Sequence, residues 1–324
     1  MLGIDLGSNT LRAVEMDEKF NKIKEYEFVI GAAKNLSQSG EISNKAIEKL
    51  EKALSILAKE QNLKNATAVA TAAFRKAKNT EEIFSKLKAL FGVDFKLIDA
   101  KTEAKLSVLG MKEALLRLKI YEKTAFCDLG GASCELSSEN KFQSFDFGII
   151  SFYEKSKILK SDFSYKKILK KYPNFVKNLK DKKLKIHFLI QDKKLKSLAF
   201  NAFLEVSKIK KELNSLKLKS VVLNSGVPTT ILALKQGIFY ENYEASKING
   251  KRLFIWDFLN YALKFFYMSE KQAVVEVGAM RKNYLAAGCL LFYALFDKHK
   301  LIVVDEGLRE GVCIAKLKGL KSTF

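Results

Sequence analysis

Two aspartates in this chain stand in the same setting. Leu2–Asp17 reads LGIDLGSNTLRAVEMD and Thr124–Leu136 reads TAFCDLGGASCEL, so Asp5 and Asp128 each end an apolar run and are followed by Leu-Gly. An apolar strand that reaches Asp-Leu-Gly and resumes as a second strand is a hairpin with a glycine turn. Successive N–H groups in such a turn form a concavity suited to phosphate, and glycine lets a ligand come close to bare backbone. A carboxylate at the mouth can hold Mg²⁺ directly or through water. One Asp-Leu-Gly is an ordinary β-turn. Two, in matching strand contexts and roughly a domain-length apart, indicate two related halves with phosphate held between them. The candidate phosphate-binding residues are Gly7, Ser8 and Asn9 in the first turn and Gly130, Gly131, Ala132 and Ser133 in the second. Asp128, supported by Asp5, is the candidate metal ligand. No G-x-x-x-x-G-K-[ST] is present and a strand follows each turn, which excludes a P-loop.

These hairpins need elements to carry them, and 324 residues can bury the cores of two such halves. With 48% hydrophobic and 29% charged residues, 2 prolines and 17 glycines, the chain is globular and free of long flexible linkers. Helical spacing of Ile47, Leu50, Leu54 and Leu57 predicts a helix over Asn44–Gln61. Strands are expected at Ile23–Ile30, Asn65–Thr71, Phe95–Ile98, Ser220–Leu223 and Leu301–Val304. A helix should start after Asn79, where Glu81 and Glu82 suit a first turn. Another is expected over Glu103–Leu118, with Thr102 as N-cap and Ala104, Leu106, Leu109 and Leu116 on its buried face. Pro228 fits the first turn of a helix, Ser269-x-x-Gln272 reads as a capping box, and Leu285–Phe296 and Leu308–Leu317 complete the helices.

The formal net charge of +21 speaks about partners rather than fold. Much of it lies in Lys155–Lys219, a lysine-dense, mostly helical stretch interspersed with Phe163, Tyr165, Tyr172 and Phe175. Solvated helix faces account for many such lysines; guidance of a long polyanion is the functional alternative. No nucleic-acid motif accompanies the charge. No secretory signal is visible, and Leu285–Phe296, the longest apolar run, is too short to span a bilayer. Cys127, Cys134, Cys289 and Cys313 form no C-x-x-C pair, so reduced thiols in a cytoplasmic protein without zinc are expected.

The paired hairpins resemble those of the actin/Hsp70/sugar-kinase superfamily. The wording GIDLGSNTLRAVEMD and DLGGASCEL is similar to the exopolyphosphatase / guanosine pentaphosphate phosphatase (Ppx/GppA) family, whose other landmarks follow in order across essentially the whole chain. TAAFRKAKN resembles T-x-A-x-R-x-A-x-N, in which the arginine contacts phosphate, implying Arg75. LIDAKTEAKL resembles I-S-G-x-E-E-A-R, whose second glutamate is the proposed general base, implying Glu103. Glu135 matches the family's acidic residue after the second turn and is implied as an aid to the metal. SFDFGIISF, Ser144–Phe152, resembles a strand pair, S-x-x-x-G-x-V-S-L. NSGVPTT resembles the cleft-facing loop G-G-T-x-T-T, implying Gly226 near phosphate. VGAMRKNYLAAG resembles R-A-D-V-I-x-x-G, and DEGLREGV resembles S-x-x-G-L-R-E-G. The chain departs from the pattern at Thr102, Ala132, Val227, Asn283 and Val304.

The resemblance implies an α/β fold of two ribonuclease-H-like (actin-like ATPase) domains flanking a cleft, over residues 1–120 and 121–307, with the last helix, 308–324, packing back on the first. No adjacent His-Asp pair is present, so the short two-domain form is expected. It further implies removal of a terminal phosphate from inorganic polyphosphate or guanosine pentaphosphate with Mg²⁺ or another divalent cation. In that chemistry Arg75 holds the terminal phosphate, and Glu103 orients or deprotonates the attacking water. A kinase of the same superfamily stays open, as does a non-catalytic phosphate- or alarmone-binding protein, to which the changes at Thr102, Ala132, Val227 and Asn283 give some weight. The choice of substrate and a homodimer are also open. Neither a membrane nor a specific nucleic acid is expected as partner.

Overall fold

The computed structural model describes residues 1–139, 141–158 and 190–320. Two sheets repeat one plan. The first contains β1 (Leu2–Leu6), β2 (Thr10–Met16), β3 (Lys22–Val29), β4 (Thr67–Ala70) and β5 (Phe95–Leu97) in the order β3-β2-β1-β4-β5. The second contains β6 (Thr124–Leu129), β7 (Cys134–Ser137), β8 (Phe142–Phe145), β9 (Ser220–Asn224), β10 (Arg252–Leu253) and β11 (Lys300–Val303) in the order β10-β11-β9-β6-β7-β8. Set the edge strand β10 aside and the orders match. In each, three strands form an antiparallel meander and two more join parallel to its first strand.

Parallel strands need crossover connections, and here these are helices. In the first half α1 (Leu36–Ser39) and α2 (Asn44–Leu57) lie between β3 and β4, and α3 (Ala72–Lys76) and α4 (Thr80–Phe91) between β4 and β5. The helix α5 (Ala100–Arg117) leads to the second half. There α6 (Ile149–Ile158), α7 (Lys193–Glu205) and α8 (Ser207–Ser215) precede β9. Next come α9 (Gly226–Lys235), α10 (Ile255–Tyr267), α11 (Glu270–Val277) and α12 (Lys282–Leu295), and α13 (Leu308–Leu317) follows β11. Each sheet has its own core, one around Ile4, Leu11, Leu54 and Phe74, the other around Val221, Phe258, Leu291 and Phe292. The helix α2 shows how local pattern becomes packing. Ser43 caps it, accepting from Ala46 N–H at 3.4 Å, and Leu50, Leu54 and Leu57 are fully buried. Each such leucine contributes roughly 1.5–3 kcal/mol.

The helices α5 and α13 cross at backbone contact. A Cβ on Gly311 would lie 1.9 Å from Leu106 O, and one on Gly110 would lie 2.2 Å from Gly307 O. From there α13 returns to the first sheet, where a Cβ on Gly3 would lie 2.5 Å from Cys313 Sγ. All four cysteines are buried and unpaired. No helix among the described residues is long and apolar enough to cross a membrane.

Several expectations are corrected. Thr102 is not a cap: α5 starts at Ala100, with Asp99 as N-cap accepting from Thr102 N–H at 2.7 Å. Leu116 is 55% exposed, because the buried face of α5 runs instead through Val108, Met111, Ala114 and Leu115. Ser144–Phe152 is the end of β8 followed by the first turn of α6, where Ser151 Oγ accepts from Gly148 N–H at 2.9 Å. Arg75 sits on the short helix α3. Asn79 holds the N-cap position of α4, but its side chain bonds Ile42 across the lobe. Of the basic stretch Lys155–Lys219, residues 159–189, with Phe163, Tyr165, Tyr172 and Phe175, lie outside the described residues.

Candidate active site

Both Asp-Leu-Gly turns close in the same way. Gly7 N–H donates to Thr10 O at 2.9 Å and Gly130 N–H to Ser133 O at 3.0 Å. These two N–H groups, expected to hold phosphate, hold their own turns instead. The N–H groups of Ser8, Asn9 and Gly131 donate to no protein atom among the described residues. Each turn is braced from outside. Ala33 N–H donates to Ser8 O at 2.8 Å, while Ile149 and Ile150, at the start of α6, donate to Gly130 O and Gly131 O at 2.9 and 2.8 Å. The turns meet: a Cβ on Gly131 would lie 3.0 Å from Ser8 Cβ. A cleft of about 160 Å³ opens beside them, walled by both hairpins, α5, the N-terminus of α9 and the start of α13.

Strand register sets what faces this cleft. Asp5 is opposite Arg12 on β2, Asp128 is opposite Glu135 on β7, and Asp128 also lies beside Asn224 on β9. Glu103 arrives from the first turn of α5. Burial pushes its pKa to about 7, with Asp128 adding and Arg75 opposing. Burial likewise pushes Asp5 to about 7, with Glu103 and Asp128 adding and Arg12 opposing. Asp128 rises to about 6 by burial, against the Ser107 hydroxyl and Arg12. Glu135 is carried well above the carboxylate range by burial, then by Glu103 and Asp128. Crowded, desolvated carboxylates favour protonation or a bound cation.

The donor set suits a hard cation in part. Asp5 Oδ1 is buried with no hydrogen-bond partner, an oxygen left for a cation or ligand. Yet no group of three carboxylate, thiol or imidazole side chains among the described residues is disposed to hold one ion. Asp128, Asp5 and Glu135, the expected metal residues, all line the cleft. Glu135 accepts from Ser144 Oγ at 2.9 Å, and burial holds its pKa well above the usual carboxylate range. Two carboxylates are enough for Mg²⁺, which usually completes its shell with water and substrate phosphates.

Asp5, Gly7, Ser8, Asn9, Glu103, Asp128, Gly130, Gly131, Ser133, Glu135 and Gly226 all line the cleft; Arg75 and Ala132 do not. The Arg75 guanidinium stands behind Glu103, donating to its Oε2 at 2.7 Å and to Ile98 O at 2.9 Å. Ala132 faces away into the core of the first sheet with Ile150. Gly226 opens α9 behind Ser225, whose Oγ donates to Leu129 O at 2.9 Å and so ties α9 to the second hairpin. Sequence reasoning missed Arg12, Asn224, Arg281 and Arg309 on the cleft wall. The register of the first hairpin, which follows from its turn, was the available signal for Arg12. Arg281 and Arg309 stand inside segments already matched to a family. Asn224 opens the matched segment NSGVPTT.

Topology and site together define a two-lobed α/β protein with paired glycine turns beside an acidic cleft. The chain matches the family model of the Ppx/GppA phosphatases over residues 14–320, and it belongs to that family. Among solved structures it is similar to an exopolyphosphatase-like protein at 19% identity, covering 98% of this chain and 99% of that one, with a TM-score of 0.75. It is similar to the Aquifex aeolicus PPX-GPPA enzyme at 24% identity, covering 97% and 98%, with a TM-score of 0.67. An exopolyphosphatase from Cytophaga hutchinsonii shares 18% identity over 98% and 97% of the two chains, with a TM-score of 0.71. No curated protein matches the sequence. Family membership makes the general chemistry that of a phosphohydrolase.

Proposed function

We propose that this protein removes the terminal phosphate of a phosphoanhydride chain, either inorganic polyphosphate or the 5′ end of guanosine pentaphosphate. The observation that carries this reading is one shared cleft, lined by Glu103, Asp5 and Asp128 together with Ser8, Asn9 and Gly131, whose N–H groups donate to no protein atom among the described residues. Ser8, Asn9 and Gly131 hold the terminal phosphate through their backbone N–H groups. Asp128 and Asp5 hold Mg²⁺ or another divalent cation, which when bound neutralises charge on the phosphoryl oxygens. Ionised Glu103 accepts the proton of the attacking water, and its pKa of about 7 suits a base working near neutrality. Arg75, ion-paired to Glu103, fixes that carboxylate and favours its charged form. Gly226 at the positive end of α9, with Arg281 beside it, offers favourable potential to the rest of the substrate chain. The lobes divide near residue 120, and α13 belongs with the first.

Orthophosphate release from each substrate, with and without Mg²⁺, tests this reading. Release from at least one is expected. No release from either, or phosphate transfer that requires an acceptor other than water, overturns it.

A further inference from the structure

Asn224 is the last residue of β9 and is registered beside Asp128 on the neighbouring parallel strand. Side chains paired in this way point to the same face of a sheet, and both line the cleft. Asn224 is only 5% exposed, and its side-chain amide makes no hydrogen bond among the described residues. The amide opens onto the cleft, so an arriving phosphate oxygen can replace water as its partner. The chain also keeps space for this amide. A Cβ on Gly307 would lie 2.0 Å from Asn224 Nδ2, and the three nearest atoms to it are all in the Asn224 side chain. With no Cβ, Gly307 leaves the room that the amide occupies.

The neighbours make a neutral donor useful. Asp5, Asp128 and Glu103 repel an anionic substrate, and an amide beside them attracts a phosphate oxygen without adding charge. We propose that Asn224 is a substrate-binding residue whose amide N–H donates to a non-bridging oxygen of the phosphate held over Asp128. This rests on the phosphate reading given above.

The test is a mutant cycle with two readouts, turnover and direct binding of orthophosphate by titration calorimetry. Asn224→Ala should lower kcat/KM by about 10- to 100-fold, as for a hydrogen bond to a charged group, and weaken orthophosphate binding, while the melting temperature changes little. Asn224→Asp should be worse, because a carboxylate then faces the anion. Gly307→Ala displaces the amide and should lose as much as Asn224→Ala. The double variant should be no worse than Asn224→Ala alone, since the obstructed side chain is gone. Wild-type kinetics and binding in both Asn224 variants, or fully additive losses for Asn224→Ala and Gly307→Ala, overturn the proposal. Should the wild type release no phosphate yet bind orthophosphate, and Asn224→Ala weaken that binding, hydrolysis falls and this contact stands. A wild type that binds no orthophosphate sinks both.

Discussion

Gly311→Ala should damage both stability and activity. A glycine inside a helix ordinarily gains about 1 kcal/mol on replacement by alanine. Here the new Cβ would lie 1.9 Å from Leu106 O and 2.6 Å from its carbonyl carbon, both backbone atoms of α5 that cannot rotate aside. Restoring ordinary contact needs the two helices to part by about 1.5 Å. Overpacking of this kind costs about 1–3 kcal/mol or more, which reverses the sign of the usual effect. At about 2–4 °C per kcal/mol for domains of ordinary size, the melting temperature should fall by several degrees. Activity should fall further, because Glu103 is carried one turn before Leu106 on the helix that must move. A misplacement of about 1 Å can cost about 100-fold in rate. Thermal denaturation and orthophosphate release from polyphosphate, at fixed protein and phosphate concentrations, measure the two effects. Gly288→Ala is the internal comparison. There the obstruction at 2.5 Å is the Val227 side chain, which can yield, so a smaller loss is expected. A Gly311→Ala protein that melts at or above the wild-type temperature with full turnover would refute the reasoning about the helix crossing.

Glu103→Gln should lower turnover about 10²- to 10⁴-fold while polyphosphate binding survives; turnover at the wild-type rate removes Glu103 from the mechanism. Stability should depend on pH through the cleft carboxylates. Asp5 is raised from 3.8 to about 7, Glu103 from 4.5 to about 7 and Asp128 from 3.8 to about 6. The folded chain thus keeps protons that the unfolded chain has lost, so the contribution of these groups falls as pH rises from about 4 to about 7. Asp5→Asn should flatten that decline, and melting curves across this range with an unchanged slope count against it. Salt should raise KM for long polyphosphate steeply and KM for guanosine pentaphosphate much less, by analogy with counterion release from nucleic acids. Equal slopes would mean that the lysines of Lys155–Lys219 do not guide substrate.

The hairpins were legible because their determinants are local. Apolar runs of strand period, an aspartate and a glycine turn specify strand, turn and strand at Leu2–Met16 and Thr124–Ser137, and the duplicated sheet order follows from the repeat. The helix Leu308–Leu317 falls where its pattern places it. The cap of α5 was not decided locally: Asp99 and Thr102 are both good capping residues, and only the helix start selects between them. Arg75 was matched to phosphate, but its partner depends on how α3 packs against α5, which brings it to Glu103. Glu135 reads as an acid beside a metal site, and burial with two neighbouring carboxylates raises its pKa well above the usual range. Asn224 and Gly307 both stand in segments matched to the family, but nothing in the sequence pairs them. They meet because β9 lies beside β11 and the turn after β11 passes over the end of β9. Local chemistry determines which residues can turn, cap or alternate. Charge state and partnership depend on distances between segments far apart in the chain, and those exist only once the two halves have packed.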